Sequence, residues 1–182
     1  MEISEYLSLK NKVLSSHYSW EIDLILNCLD TNQFDDLGFF KQYLWVVLNA
    51  GIRNQVAVII YHRVLFALLY DKPIEDAFKN RKKTDSIMYL WKNRTEIFTK
   101  YLMSTEKIEF LNSLPFIGEA TKFHLARNLG INCFKPDRHI LRIAKMHNIS
   151  PENLCSSLAR NSNDPVGVVD VVLWRAANLG FI

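Results

Sequence analysis

The sequence predicts an all-α protein, a two-lobed helical bundle of about ten short helices with a cleft between its two packed groups. Three observations carry that expectation. Apolar residues recur at the spacing of a helix face through most of the chain. Prolines, glycines and capping residues punctuate the pattern where helices start and stop. No segment alternates apolar and polar residues for long enough to make a strand.

The elements follow in order. Leu37, Phe40, Leu44, Val47 and Leu48 fall on one stripe. Val56, Ile59, Ile60, Val64, Phe66, Ala67 and Leu68 form a broader face, expected to be more deeply buried. Asp71-Lys72-Pro73 breaks the chain, and the basic run Lys79-Asn80-Arg81-Lys82-Lys83 reads as a linker. Ile87, Leu90, Trp91, Ile97, Phe98 and Leu102 then resume the helical pattern. From Leu111 the chain reads as a helix ending at Leu114-Pro115, a tight turn closed by Gly118, and a second helix through Leu129, stopped by Gly130. A loop ending in Lys135-Pro136-Asp137 leads to a third helix that carries His139 and Arg142. Ser150-Pro151-Glu152 and Asp164-Pro165 each look like an N-cap followed by proline at the first helical position, and Gly180 marks a last stop. The lobes are expected at approximately 1–35 with 130–182, and 36–129, within one domain.

Composition narrows the setting. Half of the 182 residues are apolar, yet no apolar run approaches membrane-spanning length, so a soluble protein without a membrane partner is expected. The opening MEISEYLSLKNK has early acids and no apolar core, which argues against a signal peptide. Cys28, Cys133 and Cys155 are too scattered for a disulfide framework or a zinc site, and a reducing cytoplasm is the simple reading. Charge is unevenly distributed. Residues 1–78 carry 6 Lys/Arg against 10 Asp/Glu, whereas residues 79–182 carry 16 against 9. The positive part is the part with the turn and the aspartate, as a polyanion-binding face requires.

A helix N-terminus offers unsatisfied N–H donors and a partial positive charge to a phosphate oxygen. Gly118 has no Cβ to hold a DNA backbone away, and Thr121 and Lys122 add a hydroxyl and an ammonium in the first turn. Asp137 follows about twenty residues later and also stands where it would cap the next helix.

Leu114, Pro115, Ile117 and Gly118 (L-P-x-I-G), followed by Asp137, His139 and Arg142, resemble the helix-hairpin-helix (HhH-GPD) DNA glycosylase superfamily. That group includes endonuclease III, the adenine glycosylase acting on oxidised mismatches, and the mismatch-specific thymine glycosylases. A weaker match upstream runs from Val47 to Gly51 and continues at Gln55-Val56-Ala57, where the family approaches the duplex. The resemblance covers roughly residues 40 to 147. It implies an enzyme that flips a damaged, mismatched or modified base out of double-stranded DNA and cleaves its N-glycosidic bond. It also implies that Asp137 faces the flipped nucleotide, steadying oxocarbenium character at the sugar or activating the attacking water. Gly118, Thr121, Lys122, Lys135 and Arg53 are then the expected DNA contacts, with His139, Arg142 and Asp170 as supporting groups. Trp45, Tyr43, Phe134 and Trp174 are candidates for an aromatic pocket wall. Asp170, on the apolar helix VVDVVLWRAANLG, is expected to pair with an arginine and is the second-choice functional carboxylate.

Departures from the family pattern matter equally. Bifunctional members carry a Schiff-base lysine two residues after the last hairpin glycine, where this chain has Ala120. Lys122 lies about 200° further round a helix and should point elsewhere. That favours a monofunctional enzyme using water. The first hairpin glycine is replaced by Phe116, so the turn must form without that freedom, and binding of phosphate or of a monovalent cation at the hairpin is put in question. The iron–sulfur cysteines of endonuclease III are absent, and no other cofactor is expected. Gly51 stands where some relatives place an intercalating glutamine, which leaves Ile52 or Arg53 as the wedge. The competing readings are a catalytically silent DNA-binding module on the same scaffold, and a lyase using Lys122 or another amine. A monomer is expected in either case, in the cytoplasm or, in a bacterium, at the nucleoid.

Overall fold

The computed structural model describes residues 1–30 and 34–182. Among them are eleven α-helices, one 3-10 turn and no strand. The chain divides into two compact units, Met1–Asn32 with Ala126–Ile182, and Gln33–Leu125.

The terminal unit holds α1 (Ile3–Leu14), α2 (Trp20–Asp30), α9 (Arg138–Met146), α10 (Pro151–Ser162) and α11 (Val166–Asn178). α11 is apolar almost all round and is buried almost all round, and α1, α2, α9 and α10 pack against it. Its valines and Leu173 meet Tyr6, Leu9, Ile22, Ile140, Ile143 and Leu154 in one core. Polar residues on so apolar a helix are paired. The Arg175 guanidinium donates from Nε to Glu21 Oε2 at 2.8 Å and lies 3.8 Å from the Tyr18 ring. Ser150 caps α10, its hydroxyl accepting the Asn153 N–H at 3.1 Å, as its sequence position implies. Asp164 does not cap α11. Pro165 takes the cap position, and the Asp164 carboxylate instead accepts the Tyr6 hydroxyl at 2.8 Å and the Lys10 ammonium at 2.6 Å, fastening α1 to the α10–α11 corner. Gly130 and Gly180 are both left-handed (φ 79° and 74°). Each closes a paired 6→1 and 5→2 set of N–H bonds that ends its helix.

The central unit holds α3 (Asp36–Asn49), α4 (Asn54–Leu69), a 3-10 turn (Ile74–Asp76), α5 (Arg81–Lys92), α6 (Arg94–Met103) and α7 (Lys107–Asn112), with the start of α8 (Thr121–Asn128). α3 is its axis. Phe39, Phe40, Tyr43, Leu44, Val47 and Leu48 are wholly buried, and α4, α5 and α6 pack around them. The Asp35 side chain starts α3 by accepting the Gly38 N–H at 2.6 Å.

Three readings of the pattern change. α4 buries Ala57, Val64, Ala67 and Leu68, while Val56, Ile59 and Phe66 are exposed, because only the stripe facing α3 is covered. Leu102 is exposed too. The basic run at 79–83 is not a linker for most of its length: Asn80 caps α5, and Arg81 to Lys83 form its first turn. Lys83 is buried there, its ammonium donating to the Ala50 carbonyl at 2.6 Å, so a residue read as part of a linker instead satisfies the C-terminal end of α3. Finally, α7 ends at Asn112, two residues before the expected boundary, and Ser113 to Ala120 form the connection to α8.

Candidate functional site

The hairpin belongs to the central unit. Its turn is made at Phe116, whose φ of 64° is left-handed, and not at Gly118, where the backbone stays outside that region. A bulky residue in this conformation is strained. Neighbours hold it there. The Tyr43 hydroxyl, from the buried face of α3, donates to the Pro115 carbonyl at 2.7 Å, and burial pushes the phenol pKa up. The Lys83 ammonium, whose pKa burial pulls down, stands 5.4 Å from the Phe116 ring.

Beyond the turn the backbone is open. A Cβ at Gly118 would meet nothing within 4 Å. The Gly118 N–H donates to Thr121 Oγ1 at 2.9 Å, so this donor and this hydroxyl already satisfy each other. The Thr121 and Lys122 N–H groups both return to the Gly118 carbonyl, which leaves the exposed Glu119 and Ala120 N–H groups with no acceptor among the described residues. These two are the donors a phosphate would use. Lys122 is nearly buried, its ammonium 2.8 Å from Glu119 and 3.0 Å from Glu109. The Glu119 carboxylate raises the Lys122 pKa and is itself held low by Lys122 and by the Asn112 amide. The expected free ammonium is therefore a committed one. The Leu114, Pro115 and Gly118 carbonyls accept protons from Ile117, Tyr43 and the first turn of α8.

Asp137 belongs to the terminal unit. It caps α9: Oδ1 accepts the His139 N–H at 2.9 Å and the Ile140 N–H at 3.2 Å. Oδ2 accepts no hydrogen bond from the described residues, and the side chain is half-buried. One oxygen thus fixes the carboxylate, and the other has no hydrogen bond to the described residues. The loop before it is fastened to α11. Lys135 contributes its backbone N–H to Asp170 Oδ2 at 2.8 Å, and Arg127 Nη1 meets the same oxygen at 2.7 Å. Asp170 is 1% exposed. Burial pushes its carboxyl up to about 6, Arg127 and the Lys135 N–H oppose the rise, and the charge of Asp137 adds to it. Arg127 Nε is buried without a partner among the described residues.

The remaining sequence candidates separate. Arg53 is exposed at the start of α4, after Gly51, which is left-handed (φ 74°) with open space beside it. Arg142 donates to the Ile182 carbonyl at 3.2 Å, and His139 accepts from Arg138 Nε at 3.3 Å. Tyr43 is core and carries the hairpin. Trp45 packs edge-on to Tyr61, Phe134 lies against the terminal core, and Trp174 stacks under Arg175. An open concavity of about 520 Å³ lined by His62, Arg63, Phe66, Lys72 and Asp76 includes neither Gly118 nor Asp137. Arg127 and Asn132 went unread in the sequence, and Lys83 was read only as part of a linker. For Arg127 a signal existed, since an acid on an apolar helix calls for a buried cation. Among the described residues no group of three His, Cys, Asp or Glu side chains could hold a metal, and no helix is long and apolar enough to cross a membrane.

The fold has a counterpart among solved structures. The crystal structure of a Methanocaldococcus jannaschii 8-oxoguanine glycosylase/lyase, in complex with a 15mer DNA containing 8-oxoguanine, superposes with a TM-score of 0.72. The match covers 95% of this chain and 96% of that one at 21% identity, which is a likeness of fold. No protein-family model matches the chain, and no curated protein matches it.

Proposed function

We propose that this chain is a DNA glycosylase that hydrolyses the N-glycosidic bond of a damaged, mismatched or modified base flipped from double-stranded DNA. The observation that carries the reading is Asp137: a carboxylate fixed at a helix start through one oxygen, with the other unbonded among the described residues. A base leaving its sugar leaves cationic character behind, and a fixed carboxylate in a site poor in water stabilises that charge without reorganising. The free Oδ2 is also the atom that would accept a proton from attacking water. The fold counterpart, described as a glycosylase/lyase in complex with DNA, supports the same class of substrate.

In this reading the hairpin supplies phosphate contacts from the Glu119 and Ala120 N–H groups, with Lys135 and Arg53 as cationic contacts. Lys122 acts indirectly, by neutralising the two acids at the hairpin. The protein works as a monomer in the cytoplasm, without a cofactor, and without lyase chemistry. A lyase needs an amine at the sugar; the hairpin position offers Ala120, and Lys122 is bound to Glu109 and Glu119. The strained Phe116 and the acid at Glu119 favour one competing reading, a DNA-binding module without chemistry.

The test is excision from a panel of duplexes carrying single lesions or mismatches, 8-oxoguanine included, under enzyme excess. Product with the parent protein, and none with Asp137→Asn, supports hydrolysis. Binding without product on every duplex supports the silent module. A borohydride-trapped adduct would instead establish a lyase, and Lys83→Arg and Lys122→Arg would identify its amine.

A further inference from the structure

Asp137 reaches its place through the loop that follows α8, and that loop is fastened to one face of α11. Asn132 Oδ1 accepts the Gly167 N–H at 3.0 Å, and Asp170 Oδ2 accepts the Lys135 N–H at 2.8 Å. At Gly167 an added Cβ would crowd Ile25 Cγ2 at 3.2 Å, while the Cys133 carbonyl oxygen of the loop, at 3.6 Å, would be at ordinary contact distance. A three-residue turn across Pro136, closed by the Asp137 N–H on the Lys135 carbonyl at 2.7 Å, then links the tether directly to Asp137. The Lys135 N–H is held by a buried carboxylate that itself needs the Arg127 guanidinium, an arrangement that costs desolvation and whose grip depends on charge.

We propose that Asp170 is a positioning residue: its ionised carboxylate, steadied by Arg127, fastens the Lys135 N–H and so seats Asp137, making base excision depend on the charge of Asp170. The claim rests on the reading of Asp137 as the acting carboxylate. The groups that face Asp170 are Arg127 from α8, Lys135, Asp137 and Cys133 from the loop, and Cys155 from α10. Burial raises the two thiols to about 11 and about 12, so neither ionises in the working range. Asp170, raised to about 6, is the group that changes charge there. Below that pH it becomes a neutral acid, the charge-assisted bond to Lys135 is lost, and the seat of Asp137 loosens.

Two measurements test this on the full chain. Opening takes the Lys135 N–H away from an Asp170 that stays buried, which raises its pKa further, so amide exchange, corrected for intrinsic rate, should show Lys135 opening more at pH 5 than at pH 7.5, by up to about tenfold for each unit of that rise. Amides in the middle of α11 should keep their protection. In single-turnover excision, Asp170→Asn should be slower by about tenfold to a hundredfold at pH 7.5, the scale of a displaced catalytic group. The loss should persist at saturating duplex, the acid limb near pH 6 should vanish, and Asp170→Glu should restore part of the rate. Lys135 protection that ignores pH would overturn the proposal, even if Asp170→Asn fails to fold. So would an Asp170→Asn protein with the parent's rate and acid limb. A Lys135 amide that responds to pH, in a protein that cleaves no duplex, would keep the tether and overturn the assignment of Asp137.

Discussion

Replacing Arg127 with methionine tests the buried pair that the loop depends on. Asp170 would then lie 1% exposed with one backbone N–H as its remaining partner among the described residues. Removing one member of a buried ion pair costs about 3–5 kcal/mol, because the other is left charged and dry. The loss should depend on pH. The parent's Asp170 pKa is raised from 3.8 to about 6, so the folded state holds a proton that the unfolded chain has released. Its contribution to stability is therefore complete below pH 3.8 and disappears as pH rises through 6, a change of roughly 3 kcal/mol. Without Arg127 the folded pKa moves higher still, and the variant keeps losing stability toward pH 8. Urea denaturation followed by far-UV circular dichroism should give a deficit of about 3–5 kcal/mol at pH 7.5, shrinking to about 1–2 kcal/mol at pH 5, where the acid is mostly neutral in both proteins. Arg127→Met combined with Asp170→Leu should recover to within about 2 kcal/mol of the parent at pH 7.5. A deficit that is the same at both pH values, or under about 1 kcal/mol at pH 7.5, would refute the reasoning.

Four further outcomes follow from the hairpin. Phe116→Gly relieves a left-handed strain of about 1–2 kcal/mol, offset by a freer unfolded chain and by the lost Lys83 contact, so its stability should lie within about 1 kcal/mol of the parent. Phe116→Val should instead lose about 1–2 kcal/mol, because a β-branched side chain fits that backbone worst; urea midpoints distinguish the two. Tyr43→Phe removes the donor to the Pro115 carbonyl and should cost about 1 kcal/mol, with weaker duplex binding by fluorescence anisotropy. Ala120→Lys puts an amine at an exposed hairpin position and should yield a borohydride-trapped DNA adduct where the parent yields none.

Helical class and most boundaries were legible because they depend on neighbours in sequence. Ser150 and Asp137 cap as their positions imply, and Gly130 and Gly180 end helices in the left-handed conformation that glycine allows. What failed was burial. Val56, Ile59 and Phe66 sit at plausible helical spacing, but which stripe of α4 is covered depends on where α3 lies. Lys83 looked like a linker charge because nothing local reveals that the end of α3 needs a donor. At the hairpin, the substitution of glycine by phenylalanine was visible, but the outcome was not: the turn keeps the left-handed conformation and bears the strain. Asp170 was marked as an acid needing an arginine. Its partner turned out to be Arg127, 43 positions away, while the arginine on its own helix pairs with Glu21. Long-range pairing of this kind has no local signature.

Capping and catalysis by Asp137 are separable, because asparagine caps a helix as well as aspartate does. Asp137→Asn should keep stability within about 0.5 kcal/mol, whereas Asp137→Ala should lose about 1 kcal/mol. The measurement that bears most directly on the account is therefore single-turnover excision on the lesion panel by the parent and Asp137→Asn, both folded and binding duplex equally. Product is expected from the parent, with a loss of at least about a hundredfold in the variant, the scale for removing one electrostatic stabiliser. Equal rates from the two proteins would contradict it.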